Sequence, residues 1–153
     1  MNELKKIASF QVDHTKLYPG VYISRVDHDI VTYDIRLKKP NCGSYLEVPA
    51  LHTIEHLFAT YARSCEFQNN VIYFGPMGCR TGFYLLTKDL PDSDAVKMIK
   101  DAFAFIAEYE GEIPGASAVE CGNYLEHDLK NAKREAADFN EILEKVFPDT
   151  LNY

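Results

Sequence analysis

Hydrophobic residues along the chain follow two different spacings, one typical of strands and one typical of helices. Residues 21–26 and 30–37 predict two strands, and Asp27-His28-Asp29 between them predicts the turn of a hairpin. The second strand is apolar at every other position, which places one hydrophobic face on it. That face consists of Val31, Tyr33, Ile35 and Leu37. Residues 71–74 and 83–87 predict two further strands, joined by a glycine-rich loop over residues 75–82.

Three longer stretches show the three- and four-residue spacing of amphipathic helices. They run from Pro49 to Phe67, from about Ser93 to Tyr109, and from Leu125 or Asp128 to Val146. Strands and helices do not alternate strictly, so the pattern favours an α+β fold over a parallel α/β fold. We expect a mostly antiparallel sheet covered by helices on one face, forming a single domain over residues 1–153.

Composition narrows the possible partners and the compartment. The chain has 153 residues, with 16 Lys plus Arg against 23 Asp plus Glu, so its formal net charge is −7. Such an acidic chain does not hold nucleic acid by general electrostatics, and it is repelled by anionic lipid. No apolar run reaches the roughly 18 residues of a membrane helix, and the first residues lack the apolar core of a signal peptide. We therefore expect a cytoplasmic protein that binds neither nucleic acid nor membranes.

The clearest chemical signal is the segment His52-Thr53-Ile54-Glu55-His56 within the first long helix. Histidines four residues apart lie on one face of a helix, and both rings can reach a single divalent metal. A carboxylate at Glu55 lies beside that metal and can take a proton from a group bound to it. The alternative is a pair of helix-surface histidines with an incidental glutamate.

A catalytic site of this kind needs a third protein ligand. The four cysteines include no Cys-x-x-Cys pair, and a cytosolic chain keeps them reduced. Cys65 fits packing against the apolar stripe of its helix, and nothing near Cys42 suggests a role. Cys121, followed by a glycine that allows close backbone approach, and Cys79 both remain candidates, and spacing alone does not choose between them.

Cys79 lies in the glycine-flanked loop Met77-Gly78-Cys79-Arg80-Thr81-Gly82, the kind of position where reactive groups collect. Arg80 beside it would favour the thiolate, which could act as a nucleophile or carry protons near a metal. The alternative is a turn with an incidental thiol. Arg36 lies on the polar face of its strand, where it could bind a substrate carboxylate or be a surface arginine paired with Asp34. His28 is expected to be a turn residue, and His127 a residue at a helix start.

Three motifs in this order and spacing resemble the S-ribosylhomocysteine lyase family, whose reaction makes the precursor of the bacterial signal autoinducer-2. They are His52-Thr53-Ile54-Glu55-His56, residues 76–84 from Pro76-Met77-Gly78-Cys79 onward, and Glu120-Cys121-Gly122. Residues 9–14, residues 33–36 and Pro40-Asn41 also resemble the family, so the resemblance covers nearly the whole chain.

The resemblance implies a specific site and assembly. It implies one divalent metal per subunit, ferrous iron with zinc or cobalt as substitutes, held by His52, His56 and Cys121. It implies Glu55 and Cys79 as the acid/base pair, and it implies substrate binding by Ser9, His14 and Arg36. It also implies a homodimer with its active sites at the subunit interface. The implied products are homocysteine and 4,5-dihydroxy-2,3-pentanedione, which link the enzyme to the activated methyl cycle and to quorum sensing.

Two other functions are compatible with the metal motif. His-x-x-Glu-His also occurs in inverted zinc proteases, which would require a carboxylate as third ligand and a peptide-sized cleft. A non-catalytic metal-binding dimer is the second alternative, but such a protein needs neither Glu55 nor Cys79. A lyase instead requires Cys121 at the metal.

Overall fold

A computed structural model describes residues 3–153, and its centre is a four-stranded antiparallel sheet. The strands are β1 (Gly20–Asp27), β2 (Ile30–Arg36), β3 (Val71–Pro76) and β4 (Gly82–Lys88), arranged in the order β1-β2-β4-β3. The predicted hairpin joins β1 to β2, and its turn holds His28 at a φ of 57°. The α+β class and all four predicted strands are confirmed.

The helices are α1 (Ala8–Gln11), α2 (Val48–Ala62), α3 (Asp92–Glu108) and α4 (Leu129–Leu143), with a short 3₁₀ helix at Gln68–Asn70. The three predicted helices are confirmed, and Asp128 is the correct start signal for α4 because its side chain accepts the Asn131 N–H. Helix α1 and the 3₁₀ helix are too short to show a periodic pattern. No helix in the described part of the chain has the length and apolar character needed to cross a membrane.

The predicted end of the first long helix at Phe67 is wrong, since α2 ends at Ala62. The Ser64 hydroxyl donates to the Thr60 carbonyl at 2.7 Å, and the Ser64 N–H turns to Tyr61 at 3.0 Å. This local bonding replaces the helical ladder. Cys65 therefore lies beyond the helix, yet it still packs against the core, as its apolar position suggested. Helix α4 likewise ends at Leu143 and not at Val146.

A row of stacked phenylalanines ties the three long helices to one face of the sheet. Phe58 of α2 lies parallel to Phe74 of β3, with ring centroids 3.8 Å apart, and Phe74 stacks on Phe83 of β4 at 5.0 Å. On the helical side, Phe103 of α3 contacts both Phe58 and Phe139 of α4. Aromatic pairs of this kind add to the hydrophobic stabilisation of each ring. They fix α2, and with it the metal motif, relative to the sheet.

The opposite face of the sheet carries a buried ion pair. Asp34 and Arg36 point away from the phenylalanine core but are only 1% and 2% exposed, and Arg36 Nη2 donates to Asp34 Oδ2 at 2.6 Å. The predicted pairing with Asp34 is confirmed, whereas the surface location is wrong. Thr81, in the loop before β4, accepts a bond from the same guanidinium. This contact connects β2 to the loop that contains Cys79.

Gly82, at the start of β4, lies directly against the backbone of the neighbouring strand β2. A Cβ at Gly82 would overlap the Ile35 carbonyl oxygen and lie 3.0 Å from the Arg36 Cα, whereas a Cβ at Gly78 would contact nothing. Gly82→Ala should lower the free energy of unfolding by about 1–3 kcal/mol, the usual cost of overpacking. Urea denaturation measures it, with Gly78→Ala as the matched control. Equal stabilities of the two variants would contradict this account of the strand contact.

Candidate metal centre and substrate cleft

Helix α2 presents His52 and His56 on one side, with ring centroids 4.6 Å apart. The Nδ1 of His52 lies 2.8 Å from the Glu126 carbonyl oxygen, and the Nδ1 of His56 lies 2.8 Å from the Pro114 carbonyl oxygen. A carbonyl can only accept, so each Nδ1 carries the proton. In neutral imidazoles the Nε2 lone pairs are then free, and this is the tautomer that metal-binding histidines need.

The Cys121 sulfur lies where the two Nε2 atoms converge. Its Sγ is 3.4 Å from His52 Nε2 and 3.8 Å from His56 Nε2, and it also receives the Asn123 N–H at 3.4 Å. Cys121 belongs to the connection between α3 and α4, which folds back over α2. Gly115 makes this possible, because it has a φ of +70° and any side chain there would press on the His56 ring.

His127, which the sequence predicted only as a residue at a helix start, is a fourth member of this group. Its ring stacks on His52 with centroids 4.0 Å apart, and its Nδ1 lies 3.0 Å from the Thr53 hydroxyl. That hydroxyl donates to the Pro49 carbonyl, so Nδ1 of His127 is the donor, and its buried Nε2 has no partner among the described residues. Burial, and then electrostatic repulsion from the neighbouring His52 and His56 rings, lowers the pKa of His127 to about 4. Its position at a helix start gave no sign of this arrangement.

These donors suit a divalent transition metal. The ligand atoms of His52, His56, Cys121 and His127 all lie within 4.8 Å of one another. Two imidazoles and a thiolate are a donor set that iron, cobalt and zinc accept. The Nε2 atoms of His52 and His56 face the Cys121 sulfur, and the Nε2 of His127 has no hydrogen-bond partner among the described residues. Glu55, half-buried on the same helix, is adjacent in sequence to His56, a member of this group.

The other predicted site residues form a separate group around a cleft of about 400 Å³. Ser9, His14, Arg36 and Cys79 all line it. His14 Nδ1 lies 2.9 Å from the Val12 carbonyl, so its proton is donated there and Nε2 is left for the cleft. The structure therefore brings together residues that are far apart in the sequence. A larger groove of about 540 Å³, between β1 and the end of α4, contains none of the predicted residues.

Cys79 is exposed at the tip of the β3–β4 hairpin, and its nearest polar partner is not the one expected. The Arg80 guanidinium donates to the Leu46 carbonyl at 3.3 Å and lies near the Tyr45 ring. Cys79 Sγ instead lies 3.0 Å from Thr81 Oγ1, which accepts from Arg36 at 2.8 Å. The cation linked to this thiol is therefore Arg36, through one hydroxyl.

Within the described residues, the cleft that contains Cys79 is lined neither by the four residues of the metal group nor by Glu55. One chain thus presents two separate groups of candidate site residues. The first holds metal donors and a carboxylate. The second holds a thiol, an imidazole and a guanidinium around a space of small-molecule size.

Comparison with known proteins shows the family of this chain. The family model for S-ribosylhomocysteinase (LuxS) matches residues 7–148. This chain belongs to the S-ribosylhomocysteinase family. S-ribosylhomocysteine lyases of Phocaeicola vulgatus and Desulfotalea psychrophila are each 48% identical to it over 157 residues, and the one from Clostridium acetobutylicum is 45% identical over 156 residues. Each alignment covers 98% of this chain and 98% or 99% of the relative.

In this family member, Cys121→Ala should abolish stable metal binding, because it removes the only sulfur in the group. We expect metal affinity to fall by more than about 100-fold, beyond the effect of losing an outer-shell partner. The measurement is metal content per chain after reconstitution with Zn²⁺ and passage over a desalting column. Cys65→Ala, which changes a cysteine outside the group, should keep one metal per chain. Retention of metal by Cys121→Ala would remove Cys121 from the ligand set.

Proposed function

We propose that this chain is an S-ribosylhomocysteine lyase that cleaves the thioether of S-ribosylhomocysteine to homocysteine and 4,5-dihydroxy-2,3-pentanedione. The observation that carries the proposal is the convergence of His52, His56 and Cys121 in a member of this family. A thiolate as third donor also argues against an inverted zinc protease, which would use a carboxylate. A purely metal-binding role leaves the cleft around Cys79 without a purpose.

We propose one divalent ion per subunit, held by His52, His56 and Cys121. The donor set accepts Fe²⁺, Co²⁺ and Zn²⁺ alike, and the family resemblance favours ferrous iron. When bound, the ion supplies a Lewis acid that polarises the sugar carbonyl and stabilises negative charge on the sugar oxygens. The need to keep Cys79 and Cys121 reduced supports a cytoplasmic location.

The residues of the chain would carry the protons. The carbon–sulfur bond becomes breakable only once the carbonyl lies beta to the sulfur, so the carbonyl must migrate along the sugar. Each migration removes a proton beside the carbonyl and returns one to a neighbouring carbon. Glu55 and Cys79 are the proposed acid/base pair for these transfers and for the β-elimination that releases homocysteine. Ser9, His14 and Arg36, which line the cleft, would orient the substrate.

We propose a homodimer in which two subunits complete each active site. Two observations support it. The cleft and the metal group are separate within one chain, although the reaction needs both. Ile7 and Phe10, three residues apart in the N-terminal segment with Phe10 at the cleft, are 54% and 64% exposed, and they form an apolar surface that a second subunit would cover.

Glu55→Gln should retain the metal but lose most turnover, because the amide cannot exchange a proton. The expected loss in kcat is about 10²–10⁴-fold. Free thiol released from S-ribosylhomocysteine measures turnover, and metal analysis of the same sample measures occupancy. Glu66→Gln, at an exposed carboxylate that pairs with Lys97 and lies outside the metal group and the cleft, is the matched control. Loss of metal would instead make Glu55 a ligand, and undiminished turnover would remove it from the mechanism.

Mixing two inactive variants tests whether subunits share a site. If Glu55 and Cys79 of one site come from different chains, a mixed dimer of Glu55→Gln with Cys79→Ser rebuilds one intact site. Random exchange should then restore about a quarter of wild-type activity, since half the dimers are mixed and each has one intact site. Each variant refolded alone is the control. Absence of recovery in demonstrably mixed dimers would place both residues of a site on one chain.

A further inference from the structure

A line of hydrogen bonds runs from the Cys79 thiol across the outer face of the sheet to Tyr153. Thr81 Oγ1 lies 3.0 Å from the Cys79 sulfur and accepts from Arg36 Nη1 at 2.8 Å. Asp34 Oδ2 accepts from Arg36 Nη2 at 2.6 Å and from the Tyr153 hydroxyl at 2.7 Å. The three middle residues are only 1–2% exposed, so Tyr153 reaches Cys79 through a buried path.

Tyr153 is held firmly enough to define where its hydroxyl points. Its ring stacks on Tyr22 with centroids 5.0 Å apart and an angle of 15°. Two residues earlier, buried Leu151 accepts the Ile23 N–H of β1 at 2.7 Å. Burial, and then the charge of Asp34, raise the pKa of Tyr153. The hydroxyl therefore keeps its proton at neutral pH and donates it to the carboxylate.

The Asp34–Arg36 pair is bonded through one oxygen only. Asp34 Oδ1 and Arg36 Nε have no hydrogen-bond partner among the described residues. A carboxylate and a guanidinium prefer to meet through two parallel bonds. A second bond, from Nε to Oδ1, would require the carboxylate to rotate from its present orientation. The Tyr153 hydroxyl, bonded to Oδ2, opposes that rotation.

We propose that Tyr153 is a positioning residue for Cys79, because its hydroxyl keeps Asp34 in the orientation that holds Arg36 on Thr81. Since Thr81 Oγ1 accepts from Arg36, its own proton is free to be donated to the sulfur. A hydroxyl donor and a nearby guanidinium both stabilise a sulfur anion. The effect of this arrangement on catalysis rests on the proposed role of Cys79 in the lyase reaction. The hydrogen-bond geometry is independent of that role.

The test is Tyr153→Phe, which keeps the ring and its stacking and removes only the hydroxyl. The metal-loaded protein is treated with iodoacetamide at neutral pH, and peptide mass spectrometry follows alkylation of Cys79 relative to the exposed Cys42 of the same chain. Loss of one hydrogen bond should lower the Cys79-to-Cys42 ratio by roughly three- to ten-fold. The kcat for thiol release should fall by a similar factor, with little change in KM.

Tyr22→Phe is the matched control, because its hydroxyl donates to the Tyr18 carbonyl, outside the hydrogen-bond line. It should leave the alkylation ratio and turnover at wild-type values. A purely structural role of Tyr153 would lower the melting temperature of Tyr153→Phe and leave the ratio in folded protein unchanged. That result would overturn the proposal.

A double-mutant cycle tests the route through Thr81. Thr81→Val should lower the ratio by itself, and adding Tyr153→Phe should cause no further loss, since the link is already broken. Independent, additive losses would overturn the route. If Thr81→Val does not fold, the comparison of Tyr153→Phe with Tyr22→Phe decides alone. If Cys79→Ser released homocysteine thiol from substrate at the wild-type rate, Cys79 would have no catalytic role. The alkylation ratio of Tyr153→Phe would still show whether Tyr153 positions the Cys79 thiol.

Discussion

The candidate metal centre depends on two backbone carbonyls that fix the protonation of two histidine rings. Pro114 and Glu126 each accept an Nδ1 proton, and the Nε2 lone pairs of His52 and His56 are thereby left facing the Cys121 sulfur. Either tautomer of a free imidazole has similar energy, so without these bonds the donor set would be a mixture of states. Helix α2 sets the spacing of the two rings, and the connection between α3 and α4 sets their tautomer.

The buried ion pair of Asp34 and Arg36, in contrast, is costly to bury. Removing two charges from water costs several kcal/mol per ion, and the attraction between them compensates only with good geometry and further bonds. This pair leaves one atom of each partner unbonded among the described residues, so it does not have the bonding expected of an element kept for stability. Its location at the wall of the cleft, bonded to Thr81 beside Cys79, is consistent with a functional reason for keeping it.

Local pattern predicted the long elements of the fold and two of the three proposed metal ligands. Strand alternation and helical spacing are properties of consecutive residues, and so is the four-residue separation of His52 and His56. The end of α2 was placed too late because Phe67 continues the apolar spacing, whereas the Ser64 hydroxyl ends the ladder earlier. Side-chain competition of this kind is invisible to a pattern based on hydrophobicity.

The remaining features depend on contacts between distant parts of the chain. Cys121 meets His52 across 69 residues of sequence, His127 meets Thr53 across 74, and Tyr153 meets Asp34 across 119. No spacing rule covers such separations, and for this reason the residues alone left Cys121 and Cys79 as equal candidates for the third ligand. The motif resemblance favoured Cys121, and the structure places its sulfur at the two rings and Cys79 in the cleft.

Residues 109–128, which connect α3 to α4, contain no helix or strand, and they are attached to α2 at several points by histidine rings and a threonine hydroxyl. A cation that bridges Cys121 to α2 would act as a cross-link between this segment and the phenylalanine core. Metal loading and the order of this segment are then thermodynamically coupled, since whatever binds only the closed arrangement also stabilises it. Amide hydrogen exchange in this segment would accordingly report metal occupancy without any substrate being present.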